Sequence, residues 1–558
     1  MVYCQILISL NITFNSRVDM NSIQLTLHQK AILISIFVFI LLLATASNIG
    51  LTWDEPAYIA ASESYINWYG EVFTNPSEAF TDESIANAWT INKEHPPLNK
   101  VWSGLIWSIT KNFADDLLAH RLGNMILVAI LAGLLYFWIQ ESYGQVAGFA
   151  SVAALLTMPR FFFHAHLSAL DVPAAFSAFV VTFLFWKTLN QKHWAWGLLL
   201  GVVWGLALAT KINSVFIPIT FVLWLLIFHR KLYLFIRLFI MGVTAILIFF
   251  IAWPWLYHHT IERITEYILF VTVNHWPIGQ YYLGQFFMPP PWHFGFVKLW
   301  AVLPITLTIL YFTGIISAGI ARQDKGLSWL LFLSALTPIL AISTGKSMVY
   351  DNERLIMVSF PFLAGLCGIG FAYLASGIEK ISGQWNKPTV TRSGIIVLAL
   401  ISFAPQIISM IRLYPHLLSY YGESVGGIRG ANDLGLETTY WCETYQLALP
   451  ILNEQAQPGD LVWVDPWSHD VMIYYQTHGY LRDDILILAP ASVPSVLGAD
   501  APQPVSRIMN EADWFVVQSR QTTLGEAVDK NPMLQIFANQ EVVYEYQFDG
   551  VTIFALYR

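Results

Sequence analysis

The sequence predicts a mainly α-helical, polytopic membrane protein with about eleven transmembrane helices and a small soluble α/β domain at its carboxy terminus. Three observations predict it. Of 558 residues, 56% are hydrophobic and only 12% charged, whereas a soluble domain carries roughly 25% charged residues. Apolar runs bounded by charges or turn residues recur at about eleven places, most near the length that crosses a bilayer. After residue 411 that pattern gives way to short apolar strands, and from Arg412 onward 18 acidic residues face 7 basic ones, a balance of −11. This acidity makes nucleic acid an improbable partner.

The amino-terminal 30 residues read as a cytoplasmic tail, too long and mixed for a simple signal peptide, with Met20 as an alternative start. The apolar runs follow at 31–48, 122–139, 146–158, 172–186, 194–210, 214–228, 234–253, 299–317, 327–343, 355–374 and 394–411. The first reads as a signal anchor, and the third is short. Short basic loops stay on the cytoplasmic side. With the amino terminus inside, that side receives Arg17 and Lys30, Lys187 and Lys192, Arg230 and Lys231, Arg322 and Lys325, then Lys380, Lys387 and Arg392. An odd number of spans then puts the acidic segment 412–558 outside.

The first outer loop, 49–120, is rich in Trp and Tyr and contains amphipathic stretches such as 98–109, which read as helices lying at the interface. The tail offers strands at 461–464, 485–488, 514–517, 542–546 and 551–556, with a helix-like segment at 447–454. The glycine-rich stretch 418–430 lacks the spacing of a nucleotide fingerprint and reads as a turn-rich connector. Cys4, Cys367 and Cys442 fall in three environments, so a disulfide framework is not expected.

The ionisable residues outside the cytoplasmic loops gather on one face. The first outer loop opens with Trp53-Asp54-Glu55-Pro56 and later gives Lys93-Glu94-His95-Pro96-Pro97-Leu98. The second carries Arg160, His164, His166 and Asp171; later turns add Lys211, His275, His293, Lys346, Asp351, Glu353 and Arg354. A single Lys at a helix end is usually a snorkelling anchor. Charges of both signs concentrated beside hydrocarbon point instead to a site.

The Asp-Glu pair after the first run, Glu94-His95-Pro96-Pro97-Leu98, and Ala169-Leu170-Asp171-Val172-Pro173 resemble the dolichyl-phosphate-mannose protein mannosyltransferase superfamily and the related bacterial aminoarabinose lipid A transferases. Gly205-Leu206-Ala207-Leu208-Ala209-Thr210-Lys211 and Tyr350-Asp351-Asn352-Glu353-Arg354-Leu355 extend the resemblance, in order, over residues 49–374. It implies a GT-C-type helix bundle over 31–411, a polyprenyl-phosphate sugar donor, inversion at the anomeric carbon, and an acceptor that is a protein, a lipid or a glycan. By the same match Asp54 is the general base and Glu55 orients the acceptor or shares that duty. Asp171 supports the acceptor side or the first loop. Lys211 and Arg354 hold the donor phosphate. His95 occupies a phosphate position where the family has a stronger base, and a His is neutral near pH 7 unless shifted.

No motif demands a cofactor. A divalent metal (zinc, magnesium or manganese) is the one candidate, with Glu94 and His293 or His275 as ligands suited to zinc. The plainer reading of those histidines is interfacial hydrogen bonding beside Trp276 and Trp292. The expected location is a bacterial inner membrane with the site and the tail domain extracytoplasmic. Two rivals predict other features. A transporter or flippase of lipid-linked glycans would carry charges or broken helices near the midplane, and the runs are nearly free of charge. A non-catalytic assembly protein would not need Asp54, Glu94 and Asp171 on one side.

Overall fold

The computed structural model describes residues 25–275, 278–320, 326–345, 349–383, 388–488, 511–524 and 540–558. Cys4, Arg17, Met20, Trp276, Arg322, Lys325, Lys346 and Lys387 lie outside them.

Each apolar run read from the sequence falls on a helix or a helix pair. By length and composition, five of the described helices can cross a membrane alone: α1 (Leu27–Ala44), α5 (Asp116–Tyr143), α10 (Leu232–Ile251), the segment Arg354–Ser382 that contains α14 (Phe360–Gly383), and α15 (Pro388–Leu413). A sixth crossing is possible where α11 (Phe294–Val302) and α12 (Ile305–Ile320) meet at a bend of 115°. The bend has a local cause: Pro304 disfavours helical backbone in the preceding residue, and Leu303 is extended. The remaining runs lie on α6 (Gln145–Leu156), α7 (Asp171–Thr188), α8 (Ala195–Thr210), α9 (Ile217–Phe228) and α13 (Leu327–Ile342). Helix α6 rises only about 18 Å, less than the roughly 30 Å of a hydrocarbon core.

The outward faces fit lipid. On α10, Ile236, Phe239, Val243, Ile246 and Leu247 are exposed at helical spacing, an apolar stripe that a water-facing surface does not tolerate. Inward, small residues bring helices together. A Cβ on Gly201 of α8 would stand 2.4 Å from Thr244 Cβ of α10, and one on Gly205 would stand 2.6 Å from Ile248 Cβ. Glycines four residues apart thus form the close seam that membrane helices favour. Gly370 of α14 meets the Leu310 carbonyl of α12 in the same way.

The long first loop is itself helical: α2 (Glu55–Thr74), α3 (Asp82–Trp89) and α4 (Leu98–Thr110). Beyond α15, α16 (Leu449–Gln455) and α17 (His469–Thr477) accompany a five-stranded sheet in the order β4-β3-β5-β7-β6. Its strands are β3 (Leu461–Asp465), β4 (Leu486–Ile487), β5 (Trp514–Gln518), β6 (Val542–Phe548) and β7 (Val551–Tyr557), while β1 (Gln280–Tyr282) and β2 (Gln285–Phe287) form a separate antiparallel pair before α11. β3 pairs in parallel with β4 and β5, while β7 runs antiparallel to β5 and β6. The sheet's core extends into the first loop, because Leu51 and Ile59 pack with Tyr445, Leu452, Val462 and Trp514. The Trp53 amide donates to the Trp441 carbonyl at 2.8 Å, which ties the two regions at the site described next.

Candidate active site

Four helix ends deliver charged residues to one place. Asp54 precedes α2, Asp171 opens α7, Lys211 closes α8 and Arg354 opens the 3₁₀ turn before α14. Their side chains meet. The Arg354 guanidinium donates to Asp54 Oδ2 at 2.6 Å, to Asp171 Oδ2 at 3.1 Å and to Asp351 Oδ2 at 2.5 Å. Lys211 Nζ donates to Asp171 Oδ1 at 2.5 Å. The guanidinium lies 3.9 Å from the centre of the Trp441 ring, a cation–π contact strengthened by burial.

Access separates the two carboxylates. Asp171 is closed off, whereas the Asp54 side chain keeps 26% of its surface exposed. Asp54 occupies the N-cap position of α2 without a side-chain capping bond; its carboxylate turns to Arg354 and to the Tyr58 hydroxyl at 3.2 Å. Its crowded surroundings push the Asp54 carboxyl up. Burial contributes most, Arg354 opposes it, and the negative charges of Asp351 and Asp171 add to it. At Asp351 burial is outweighed by Arg520 and Arg354, so that carboxyl is held below the usual range.

The backbone beneath Arg354 is strained. Asp351 and Asn352 have φ of 54° and 58°, and Trp441 and Cys442 facing them have φ of 76° and 64°. Left-handed conformations at non-glycine residues cost free energy and cluster at functional sites. Asp351 is fixed from its other side by Arg520, 2.5 Å away. Beneath it the buried pair Arg160–Glu353, 2.5 Å apart, anchors the residue before Arg354.

Glu55 corrects the sequence reading. Instead of facing an acceptor it is fully buried and bound at both oxygens by Arg121, at 2.8 and 2.7 Å, and by the backbone amides of Thr52 and Ser168. Adjacent helical residues point in different directions, so one carboxylate of the pair faces the site and its neighbour the interior. Burial opposes ionisation of Glu55, and Arg121 more than offsets it, holding the carboxyl low. Arg121 also donates to the Ile49 and Gly50 carbonyls. It thereby locks the start of the first loop to the segment leading to Asp171.

His95 stands beside Tyr58, ring centroids 6.1 Å apart. Burial, then the positive charges of Lys100, Lys211 and Arg354, hold its imidazole well below the ordinary value, so it offers hydrogen bonds and no charge. Lys100, unremarked in the sequence, is buried and donates to Asn92 O, Asn92 Oδ1 and His95 O; burial lowers it to about 7. Glu94 accepts from Asn92 at 2.8 Å, His293 bonds the Tyr282 hydroxyl at 2.8 Å, and His275 lies 3.4 Å from the Tyr350 hydroxyl. None of the three belongs to the one group among the described residues whose three donor atoms are close enough for a shared ion, which is Glu63, Asp116 and His120.

A narrow slot lies between α7, α9 and α13. It is lined by Thr182, Asn213, Ser214, Thr220, Pro338 and Leu355 among others; Leu355 follows Arg354 directly, and Asn213 stands two residues after Lys211.

Residues 94–258 match the dolichyl-phosphate-mannose-protein mannosyltransferase family. The crystal structure of ArnT from Cupriavidus metallidurans in the apo state is similar over 95% of this chain and 97% of that one, with 14% identity and a TM-score of 0.52. The chain has the GT-C fold. The same protein bound to undecaprenyl phosphate gives a TM-score of 0.50 at 15% identity, over 94% of this chain and 97% of that one. The Archaeoglobus fulgidus oligosaccharyltransferase tethered to an acceptor peptide gives 0.51 at 11% identity, over 95% of this chain and 74% of that one. No curated protein sequence matches the chain. The GT-C fold that the motifs imply is therefore borne out, and the family match falls within the residues 49–374 over which the resemblance runs.

Proposed function

We propose that the protein is an integral membrane glycosyltransferase that moves a sugar from a polyprenyl-phosphate carrier to an acceptor at the extracytoplasmic face, with inversion and with Asp54 as general base. The observation that carries this reading is the convergence of Asp54, Asp171, Lys211 and Arg354 on one another. A base and an anion-holding pair of cations are what displacement at a glycosyl phosphate requires. ArnT, which shares the fold, is a protein whose structure holds undecaprenyl phosphate, and that supports a lipid-phosphate donor here.

The chemistry follows in a single displacement. The acceptor hydroxyl gives its proton to Asp54 as its oxygen bonds the anomeric carbon from the face opposite the phosphate, which inverts that carbon. The bond from the anomeric carbon to the phosphate oxygen breaks, and its electron pair leaves with the polyprenyl phosphate. Lys211 and Arg354 hold that added charge, Arg354 through a fork that can meet two oxygens. Asp171, bridging both cations, sets their positions. The slot beside Asn213 and Leu355 takes the first units of the carrier's tail. The tail domain, which contributes Trp441 and Arg520 to the site's wall, shapes entry of a protein, lipid or glycan acceptor. The setting is a bacterial inner membrane.

The test is transfer of radiolabelled sugar from a polyprenyl-phosphate donor by the purified protein, compared with Asp54→Asn and Asp171→Asn. Normal turnover by Asp54→Asn removes the base from this reading. No transfer by wild type from any polyprenyl-phosphate sugar removes the reading itself.

A further inference from the structure

We infer that Glu63, Asp116 and His120 form a binding site for a divalent transition metal, zinc by the chemistry of its donors, on the outer side of the helix bundle and separate from the proposed catalytic cluster. One ligand atom from each of the three lies within 4.8 Å of the other two. Asp116 and His120 are four residues apart at the start of α5, so they share one helix face, and Glu63 meets them from α2. His120 Nε2 stands 3.4 Å from Glu63 Oε1. Two ligands about 2.1 Å from a tetrahedral zinc ion stand about 3.4 Å apart.

The independent observation is the state of His120. Its side chain is fully buried, and its Nε2 has no hydrogen-bond partner. Its Nδ1 lies 3.2 Å from the Ser62 hydroxyl, which already donates its own proton to the Ile59 carbonyl. With the hydroxyl proton on the Ile59 carbonyl, the hydroxyl accepts from Nδ1–H, and that tautomer leaves a bare lone pair on Nε2 facing the carboxylates. Three acceptors facing one another without a proton between them repel, and a cation at their centre resolves the conflict.

The surroundings are those of metal ligands. The Trp107 ring stacks on the imidazole, 5.1 Å between centroids, and its Nε1 donates to Asp116 Oδ1 at 2.8 Å. The Tyr474 hydroxyl donates to Asp116 Oδ2 at 2.8 Å, and His478 Nε2 lies 3.3 Å from the same oxygen. Asp116 Oδ1, which accepts from Trp107 alone, keeps a lone pair for a metal. The Glu63 side chain, 37% exposed, is the open side through which the ion and a water ligand enter. Such an ion fastens α2 to α5 two turns beyond the Glu55–Arg121 pair, and through Tyr474 and His478 it reaches the tail domain. It is a structural clasp that fixes the helix opening at Asp54.

The test uses the full-length protein in detergent, stripped with a chelator and titrated with zinc alone. Wild type is expected to bind about one zinc tightly per chain, and its thermal midpoint to rise with zinc. Glu63→Gln alters an accessible side chain, so it tests the site without relying on a core change; it is expected to weaken binding by well over about tenfold and to abolish the zinc-dependent rise. A Glu94→Gln/His293→Gln double variant is expected to keep both. The inference is overturned if wild type takes up no zinc at micromolar concentration. Equal binding by Glu63→Gln, or loss of zinc by the double variant instead, overturns it as well.

Discussion

Asp54 and Asp171 share one guanidinium: Arg354 donates to the first at 2.6 Å and to the second at 3.1 Å. The same cation therefore touches the partly exposed carboxylate and the buried one that also binds Lys211. On the proposed function, a donor phosphate at Lys211 and Arg354 would compete with both carboxylates for these donors, which would loosen Asp54 from Arg354 and make it a stronger base. On this reading donor binding prepares the base before the acceptor arrives.

Asp54→Asn keeps the shape of the side chain and removes its ability to take a proton. Transfer is expected to fall by about 10² to 10⁴, with the loss in kcat and little change in the KM for donor. Steady-state kinetics against donor concentration checks this; a loss confined to KM would assign Asp54 to binding.

The pH dependence follows from the direction of the Asp54 shift. Its carboxyl is raised above the ordinary 3.8 by burial, against Arg354, and only the deprotonated form accepts a proton. The rate is therefore expected to rise with pH through a limb lying above the usual aspartate range. Asp54→Glu should retain activity and move that limb, whereas a limb unmoved by this substitution reports another group.

Arg354→Lys preserves a charge and removes the fork. A lysine cannot reach Asp54, Asp171 and Asp351 together, nor lie flat on Trp441. A fall of about 10² in kcat/KM is expected, comparable to removing one oriented donor from a charge-stabilising site. Recovery to near wild-type rates would show that charge alone suffices.

Much of this site was legible because Asp54, Asp171, Lys211 and Arg354 each stand next to an apolar run, where a charged residue is conspicuous. Arg121 shares that position at the head of α5 and escaped notice, because a cation there reads equally well as an interfacial anchor. Its partner is set by the tertiary path of the first loop. Arg520 and Trp441 come from the tail, and nothing local signals that their segments fold back onto Trp53 and Arg354. A signal did exist at Asp351-Asn352, since these residue types tolerate left-handed backbone better than most. The eleven apolar runs all fall on helices, and the break at Leu303-Pro304 and the shortness of α6 have local signals in Pro304 and in a run of few residues; the number of crossings is less legible, because only five or six of the described helices have the length and apolarity to span a membrane.

The Glu55–Arg121 pair is expected to support stability. Both side chains are essentially fully buried, so removing one partner leaves an uncompensated charge and costs about 3–5 kcal/mol. Arg121→Met should lower the thermal midpoint in detergent markedly, and the Glu55→Gln/Arg121→Met double variant should recover part of the loss. A double variant whose loss equals the sum of the single losses would show that Glu55 is held chiefly by the Thr52 and Ser168 amides.

Glu443 gives the tail domain a pH response of opposite sense to acid denaturation. Burial pushes its carboxyl from 4.5 up to about 7, against the hydrogen bonds of Gln518 and Thr439. A folded-state value above the unfolded one means the folded protein binds the proton more tightly. The associated stability is complete below about pH 4.5, declines as pH rises, and is lost by about pH 7. The contribution of Glu443 is isolated by difference from a variant that lacks its carboxylate. Glu443→Gln mimics the protonated form, and it should flatten this part of the unfolding profile between pH 5 and 7 while leaving the lower-pH limb in place. An unchanged slope in that window, measured by thermal unfolding of the full chain, would place the Glu443 titration elsewhere.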